Sequence, residues 1–359
     1  MAERLKDIFF TKETMGAFAD TIRKAYPDFN KRKFLDLIYD GSFEAKEFME
    51  RSKHITHSLH ETLPKSYKKA LDILKTAAPL VKGAEALSLP DYVAAYGIDE
   101  CEISLPALGF ITKYITAELA IRPFLDKDPE KVMTFMTKWA EDKNDNLRRL
   151  CSEGCRPRLP WAMALPKFKK DPTVILPILE KLKNDKSENV RRSVANNLND
   201  ISKDNPKIAL AVCEKWYGVS TETDKIVKHA CRTMLKAGDK RALLIFGYSN
   251  PDTMKVSHFK LDKNKIKIGD NLNFSFDLTL KEKGKVRLEY AVFYVKANGK
   301  QSPKVFKMTE NNYKPGTHSF SKKQFFGNMS TRKHYPGTHA ISIIINGEEK
   351  EKSSFELVR

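Results

Sequence analysis

Three acidic residues are set into the predicted basic face of the chain. Glu118 is in YITAELAIRPF, Glu153 is in LCSEGCRPRLPW and Asp200 is in NNLNDISKD. A carboxylate on a basic surface that faces a polyanion is unfavourable unless it has a role. Cleavage of an N-glycosidic bond builds positive charge on the sugar, and a fixed carboxylate can stabilise that charge or orient the attacking water. Glu118, Glu153 and Asp200 are therefore candidate catalytic residues.

A purely structural explanation of these acids is also open. Glu118 and Arg122 are four residues apart, as are Arg149 and Glu153. Residues at this spacing are neighbours on a helix and commonly form ion pairs. The acids would then satisfy arginines and take no part in chemistry.

Trp161 follows Pro160 in the segment RPRLPW, where the prolines predict a break between helices. An indole is the strongest aromatic partner for a cation, and alkylation of a ring nitrogen makes a nucleobase cationic. Trp161 is therefore a candidate for contact with an alkylated base. Packing in the hydrophobic core is the alternative.

The charge of the chain indicates a polyanionic partner. The 359 residues carry 64 Lys and Arg against 46 Asp and Glu, a formal charge of +18, and the sequence pI is about 9.5. Nucleic acid is the first candidate for such a partner. No run of about 18 apolar residues predicts a spanning helix, and the N-terminus lacks the apolar core of a secretory signal. We therefore expect a cytoplasmic protein that does not act at a membrane.

Basic residues recur at matching places in two segments of the chain. ENVRRSVANNL (188 to 198) aligns with DNLRRLCSEG (145 to 154) at an offset of 43 residues, and DKIVKHACRTML (224 to 235) is a weaker third copy. Cations in matching positions of successive repeats would form a row along a phosphate backbone. The candidate DNA-contacting residues are Arg148, Arg149, Arg156, Arg158, Arg191, Arg192 and Asn196. Alternatively, the paired arginines bind carbonyl groups or carboxylates within the repeat.

The elements that would position these residues are predicted to be helices over residues 1–250. Apolar residues recur at threes and fours, and Asp128-Pro129, Asp171-Pro172 and Asn205-Pro206 are each typical of a helix start. A period near 40 residues with two helices per unit indicates HEAT-like repeats that stack into a solenoid. On a helix, Arg192, Asn196 and Asp200 would share one face.

Residues 251–359 change to alternating apolar and polar positions separated by Gly, Asn or Pro turns. Six or seven short strands, the first of which begins at Ile266, predict an immunoglobulin-like β-sandwich. This segment has 21 Lys and Arg against 11 Asp and Glu, a net charge of +10. The sequence therefore predicts a mainly α chain of two domains, with a helical-repeat domain at 1–250 and a sandwich at 251–359 that acts as a DNA clamp or, alternatively, binds a protein.

The sequence gives little indication of a cofactor or metal site. The sequence has no GxxxxGK[ST], GxGxxG, HExxH or GxSxG motif, so no nucleotide or other cofactor is indicated. His54, His57 and His60 are three apart, which suggests zinc but equally suits a solvated or DNA-facing helix face. The five cysteines are expected to be reduced, with Cys151 and Cys155 as small core residues.

Three strings carry a family resemblance. TAELAIRPFL (116 to 125), SEGCRPRLPWAMALP (152 to 166) and VRRSVANNLNDISKD (190 to 204) resemble the AlkC branch of the HEAT-repeat alkylpurine DNA glycosylases, over roughly residues 1 to 245. The resemblance implies removal of 3-methyladenine and 3-methylcytosine from double-stranded DNA, without a metal and without flipping the base. Such an enzyme would kink the DNA and reach the exposed glycosidic bond.

The resemblance also implies roles for individual residues. Glu153 and Glu118 would stabilise the oxocarbenium ion or place water, Asp200 would assist at the same centre, and Trp161 would pack against the lesion or its sugar. The arginines that would hold backbone phosphates are Arg149, Arg156, Arg191 and Arg192. We expect a monomeric enzyme, and the alternative is a non-catalytic HEAT-repeat scaffold or DNA-binding protein.

Overall fold

A computed structural model describes residues 5–328 and 333–359 of the chain. Helices occupy the chain up to Ile245, and strands begin at Met254. The predicted fold class, a HEAT-like helical-repeat solenoid followed by an immunoglobulin-like sandwich, is confirmed. No helix in the described part of the chain is both long and apolar enough to cross a membrane.

The helical part consists of short helices joined by turns and loops. The α-helices are α1 Leu5–Phe9, α2 Lys12–Ala25, α3 Lys31–Ile38, α4 Phe48–His60, α5 Tyr67–Ala77, α6 Ser88–Tyr96, α7 Cys101–Ile111, α8 Arg122–Lys127, α9 Pro129–Trp139, α10 Asp145–Glu153, α11 Pro166–Lys170, α12 Leu176–Leu182, α13 Glu188–Asp204, α14 Pro206–Trp216, α15 Thr221–Ala230, α16 Arg232–Lys236 and α17 Lys240–Ile245. Short 3₁₀ turns occur at Ala84–Leu87, Thr173–Ile175 and Pro251–Thr253.

The predicted helix starts are observed with one difference. Asp128 caps α9 by accepting a hydrogen bond from the Lys131 backbone N–H at 3.1 Å, and proline occupies the first helical position. Asn205 directly precedes α14, which also begins at a proline, Pro206. Asp171 instead accepts from the Thr173 N–H at 3.0 Å and opens a 3₁₀ turn that leads into α12. The start was therefore predicted correctly, but not the tighter first turn.

The aligned segments form equivalent helices. α10 carries Leu147, Leu150 and Cys151 on its buried side, and α13 carries a buried stripe at Val190, Val194 and Leu198. The helices α10, α13 and α15 pack in that order. Because one helix pair leaves its apolar face uncovered, each is stabilised by its neighbour.

All five cysteines have free thiols. Cys151 and Cys155 are fully buried, and each donates a hydrogen bond to a backbone carbonyl one helical turn earlier. Burial raises the pKa of Cys155 to about 12, so its thiol stays protonated at neutral pH. The prediction that these two residues belong to the core is confirmed.

The chain divides into two compact units. One contains Met1–Ala209 and Gly218–Ala230, and the other contains Leu210–Tyr217 and Cys231–Arg359. All of the candidate catalytic residues belong to the first unit.

The C-terminal part is a two-sheet sandwich. Its strands are β1 Met254–Leu261, β2 Lys265–Lys267, β3 Asn271–Leu280, β4 Gly284–Val295, β5 Gln301–Tyr313, β6 Gly316–Phe325, β7 Gly337–Ile345 and β8 Glu348–Val358. One sheet has the order β1-β3-β6, and the other has the order β2-β8-β7-β4-β5. Pairing is antiparallel except between β2 and β8.

Alternation along the strands builds the core of the sandwich. In β3, Leu272, Phe274, Phe276 and Leu278 are buried, and the intervening residues face outward. β1 was not predicted, because its register shifts near His258, whose backbone φ is 53°. A bulge of this kind interrupts the period-2 pattern on which strand prediction depends.

Candidate active site

Glu118 lies in the turn between α7 and α8, not on a helix. Its Oε2 accepts a hydrogen bond from Arg149 Nη1 at 2.5 Å and another from the Thr116 hydroxyl at 2.8 Å. The helical spacing that suggested a Glu118–Arg122 pair therefore does not apply. Arg149, on α10, is the cation that holds this carboxylate.

Glu153 is the last residue of α10, and Asp200 lies in the middle of α13. Arg156 joins them: its Nη1 donates to Glu153 Oε1 at 2.6 Å, and its Nε donates to Asp200 Oδ2 at 2.9 Å. Arg149 Nη2 lies 3.7 Å from Glu153 Oε1, and Lys203 donates to Asp200 Oδ1 at 3.1 Å. The structure thus brings the three acids together.

Acids and cations alternate along this series, which we call the ion-pair chain. Its members, in order, are Glu118, Arg149, Glu153, Arg156, Asp200 and Lys203. The carboxylate side chains become more buried along it: Glu118 is 19% exposed, Glu153 7% and Asp200 2%. Glu118 is therefore the most accessible of the three carboxylates, and the end formed by Glu118 and Arg149 is here called the accessible end.

Paired charges make this burial tolerable. Burial alone would lower the pKa of Arg156, but the neighbouring carboxylates of Glu153 and Asp200 raise it above its usual value. Arg156 thus remains a cation, and each buried carboxylate keeps a hydrogen-bonded partner. The planar guanidinium of Arg156 donates to Glu153 from Nη1 and to Asp200 from Nε, and it therefore fixes the positions of both carboxylates.

Arg122 has a different role from the one that helical spacing suggested. Its side chain is fully buried, and its Nη1 donates to the carbonyls of Gly154 and Arg156, both at 2.8 Å. Its Nε donates to the carbonyl of Met163 at 2.7 Å. Burial lowers the pKa of Arg122 to about 10. Arg122 therefore ties the backbone next to Glu153 to the segment that carries Trp161.

Trp161 is not a core residue. Its side chain is 74% exposed, and its backbone φ is 61°. A non-glycine residue in this left-handed region is strained by about 1–3 kcal/mol, and such strain is often found at functional sites. Trp161 also borders a cleft between α4 and α6. The core-packing alternative for Trp161 is therefore wrong.

The repeat arginines differ in what they contact. Arg148 is buried and binds Asp185 with two hydrogen bonds, of 2.6 and 2.8 Å, and it also donates to the carbonyls of Asp142 and Lys143. Arg191 likewise donates to the carbonyls of Asp185 and Lys186. These contacts match the structural alternative for the paired arginines. We therefore leave Arg148 out of the proposed DNA contacts.

The Arg148–Asp185 pair supports a prediction about stability. Burial alone would raise the pKa of Asp185, but hydrogen bonds from Arg148 and from the Ser187 backbone N–H lower it below its usual value. We expect Asp185→Asn to lower the free energy of unfolding at pH 7 by about 3–5 kcal/mol, since Arg148 then remains buried without its carboxylate. Denaturant unfolding measures this difference.

The pH dependence of that difference has a defined sign. A carboxyl with a lowered folded-state pKa stabilises the protein above its unfolded-state pKa, near 3.9, and loses this contribution as the pH falls through the folded-state value. The difference in the free energy of unfolding between the parent protein and Asp185→Asn should therefore become smaller in acid. Asp36→Asn is the control, because Asp36 is 74% exposed. A difference independent of pH would contradict the ionic role of Asp185.

Arg192, Asn196 and Asp200 lie along one face of α13, and their burial increases in that order. Arg192 is exposed, and Asn196 Oδ1 lies 2.8 Å from His229 Nε2. Arg158 is 41% exposed and binds Asp204 with two hydrogen bonds. Arg149, Arg158 and Arg192 thus retain exposed surface for a phosphate.

The histidines of α4 contact protein groups. His54 Nε2 lies 3.0 Å from the Leu37 carbonyl, and the His60 ring stacks on Tyr96 with centroids 3.8 Å apart. Within residues 5–328 and 333–359, no group of three or more His, Cys, Asp or Glu side chains is arranged to hold a metal ion.

Both the helical part and the sandwich contain segments that match known protein families. Residues 255–359 match the family described as the C-terminal Ig-like domain of the uncharacterised protein YhaZ, and residues 175–204 match the HEAT repeat. The uncharacterized protein YhaZ of Bacillus subtilis (strain 168) is 47% identical over 354 residues, which cover 98% of this chain and 99% of that protein.

A solved structure matches the whole chain. It is the alkylpurine DNA glycosylase AlkC of Pseudomonas fluorescens, bound to DNA containing an abasic site analog. It is 36% identical, with a TM-score of 0.89, and the match covers 99% of this chain and 100% of that one. This chain belongs to the AlkC family. The AlkC-like strings contain Glu118, Glu153 and Asp200, the acids of the ion-pair chain.

Sequence reasoning missed several residues of this AlkC-family site. Arg122, Thr116 and Lys203 were not assigned the contacts described above. The Arg122 contacts join residues 32 to 41 positions apart, and spacing along one helix does not reveal these partners. Lys203 is three residues after Asp200 on α13, and that spacing could have indicated the pair.

Proposed function

We propose that this protein is a monofunctional DNA glycosylase that hydrolyses the N-glycosidic bond of cationic alkylated bases in double-stranded DNA and so initiates base excision repair. Its substrates in this proposal are 3-methyladenine and 3-methylcytosine. The observation that carries the proposal is the ion-pair chain, which holds three carboxylates in fixed positions in a protein of net charge +18. Full-length similarity to an alkylpurine DNA glycosylase supports it.

The roles follow from the exposure of each acid. Glu118, at the accessible end, and the adjacent Glu153 stabilise the positive charge that develops on the deoxyribose or orient the attacking water. Both Asp200 oxygens accept hydrogen bonds inside the protein, so Asp200 acts by holding Arg156. Because these groups are positioned before the substrate binds, little reorganisation is needed in the transition state.

The alkylated base already carries a positive charge and leaves readily once the sugar cation is stabilised. This property suits an enzyme that kinks the duplex and approaches the glycosidic bond without base flipping. Trp161, exposed on a strained turn, packs against the lesion or its sugar in this proposal. We further propose that the enzyme acts as a monomer in the cytoplasm.

One assay separates this enzyme from a non-catalytic scaffold. The purified protein is incubated with methylated duplex DNA, and the free bases are measured by chromatography. Release of 3-methyladenine and 3-methylcytosine is expected. DNA binding without any base release would instead support a HEAT-repeat scaffold whose acids only satisfy arginines.

Replacing Trp161 by glycine should separate stability from activity. Glycine adopts a positive φ without strain, so Trp161→Gly is expected to be as stable as the parent protein or up to about 1 kcal/mol more stable. Base release should fall by about 10-fold or more, because the aromatic contact contributes on the order of 1–2 kcal/mol. Thermal unfolding and base-release kinetics measure the two effects. Unchanged kinetics would remove Trp161 from the proposed site.

The sandwich is proposed to clamp the DNA. Lys322 and Lys323 on β6, with Asn273 and Ser321, line a surface hollow of about 430 Å³. Double replacement of these lysines by glutamate is expected to weaken DNA binding by about 10-fold or more. It should also reduce the slope of log K against log salt by about 2, since each phosphate contact contributes close to 1. Binding measured over a range of salt concentrations tests this.

A lysine pair on the other sheet provides the control. Lys265 and Lys267 are exposed on β2, an edge strand of that sheet. The control variant has both of these lysines replaced by glutamate. If it weakens DNA binding as much as the replacement of Lys322 and Lys323, the effect is one of net charge, and a DNA clamp at β6 is contradicted. Deletion of residues 251–359 is a less suitable test, because the compact unit that contains the sandwich also includes Leu210–Tyr217 and would be cut.

A further inference from the structure

A cleft of about 420 Å³ lies next to the ion-pair chain. It is formed by α4, α6, the turn after Glu118 and the turn at Trp161. Its lining residues include Lys53, Asp91, Tyr96, Leu119, Trp161 and Met163. The volume is within the range of about 300–1,000 Å³ that is typical of small-molecule sites. Of its lining residues, Trp161 alone has a role in the function proposed above.

Residues that adjoin the proposed active site in the sequence form part of the cleft wall. Leu119, in its wall, directly follows Glu118, and Trp161 and Met163 form another part of the wall. Arg122 donates to the Met163 carbonyl and to the carbonyls of Gly154 and Arg156. Arg122 therefore ties this wall to the backbone just after Glu153.

The cleft combines aromatic rings with a carboxylate and an ammonium group. Asp91, in the first turn of α6, accepts a hydrogen bond from the Ser52 hydroxyl at 2.8 Å. Burial raises the pKa of Asp91, while this hydrogen bond and the nearby Lys53 ammonium oppose the rise. Stacking on His60 holds the Tyr96 ring in place. A flat ligand with both donor and acceptor groups on its edge would be complementary to this set.

We propose that the cleft, here called the base cleft, binds the methylated purine after the glycosidic bond is cut. This inference rests on the proposed glycosylase function. When the bond between C1′ and the ring nitrogen breaks, both electrons stay on the nitrogen, and the cationic base leaves as a neutral molecule. Water oxygen bonds to C1′ and releases its proton to solvent.

The chemistry of the departing purine matches the base cleft. The exocyclic amino group of 3-methyladenine donates to the Asp91 carboxylate, and a ring nitrogen accepts from the Lys53 ammonium. The purine ring stacks on the exposed Trp161, as nucleobases commonly do with aromatic side chains, and Tyr96 forms the cleft wall beside it. Removal of the base from the reacting sugar then prevents the reverse reaction.

Binding of free 3-methyladenine tests the base cleft directly. The full-length protein is titrated with the free base, and binding is followed by calorimetry and by tryptophan fluorescence. Of the three tryptophans, Trp161 is 74% exposed and lines the cleft, Trp216 is 1% exposed, and Trp139 is half-buried and outside the cleft lining. Quenching should therefore report mainly on Trp161. Saturable binding is expected. The Asp91→Asn variant should weaken it by about 10-fold or more, because hydrogen bonds to charged groups are the stronger ones.

Two further variants make the test decisive. Ala95→Phe, at an exposed position in the cleft wall, should block binding without altering the core. Asp99→Asn, at an aspartate that is 85% exposed and paired with Lys127, is the matched control and should bind like the parent protein. Absence of saturable binding at millimolar base, or equal binding by Ala95→Phe and the parent, would overturn the proposal.

Base release measured on the same proteins separates this inference from the proposed function. If the parent releases methylated bases but does not bind free 3-methyladenine, the base cleft is wrong and the glycosylase stands. If it binds the free base in the cleft but releases none from DNA, the proposed function is wrong. Free 3-methyladenine should inhibit base release by the parent and have little effect on Ala95→Phe.

Discussion

Replacement of Glu153 by glutamine is expected to reduce base release about 10²–10³-fold, the size of effect seen when one preorganised electrostatic group is removed from an active site. Glutamine has nearly the same shape as glutamate but has no negative charge to stabilise an oxocarbenium ion. The ion-pair chain would also retain Arg149 and Arg156 beside a neutral side chain. Single-turnover kinetics on DNA with one methylated base measures the effect.

DNA binding by Glu153→Gln should persist, because removing a negative charge does not weaken attraction to phosphates. Loss of base release with intact binding identifies an interaction made in the transition state. Glu141→Gln is the control, since Glu141 is 69% exposed and pairs with Lys181. Base release by Glu153→Gln at the parent rate would show that this carboxylate is not catalytic.

Replacement of Arg156 by methionine is expected to lower the free energy of unfolding by about 3–5 kcal/mol, as when one partner of a buried ion pair is removed. Glu153 and Asp200 would then be buried carboxylates without the cation between them. Their repulsion should also displace Glu153 and reduce base release. Arg156→Lys should show a smaller loss, because lysine keeps the charge but not the planar fork that binds two carboxylates.

Chemical denaturation of Arg156→Met and of Arg158→Met provides a matched comparison. Arg158 binds Asp204 with two hydrogen bonds in the same segment, but its side chain is 41% exposed. Exposed ion pairs typically contribute up to about 1 kcal/mol, so Arg158→Met should be much less destabilised. Equal stability losses in the two variants would contradict the structural importance of the ion-pair chain.

The accessible end of the ion-pair chain adjoins the proposed base cleft. Glu118 and Leu119 are consecutive residues: the first carries the outermost carboxylate, and the second lines the cleft. Trp161 belongs to the cleft wall and is proposed to contact the lesion. Chemistry at the sugar and capture of the released base would therefore use adjoining surfaces of one compact unit.

Patterns within single segments were enough to predict the fold class and to select the three acids that the structure brings together. Apolar periodicity and proline positions predicted the helices, and alternation predicted most of the strands, because both signals are local. The aligned strings around Glu153 and Asp200 identified the repeat. β1 was missed where the register shift near His258 interrupts the alternation.

The long-range partners of these charges were decided by tertiary structure, whereas the Arg149–Glu153 pair agrees with the helical spacing of the two residues. Arg149 reaches Glu118 across 31 residues, and Arg156 reaches Asp200 across 44. Local spacing instead suggested a Glu118–Arg122 pair, but Glu118 is not on a helix. The buried position of Arg148 and the exposure of Trp161 also depend on packing between distant segments. A sequence pattern reports which residues share a helix face, whereas burial and pairing depend on the elements that pack against that face.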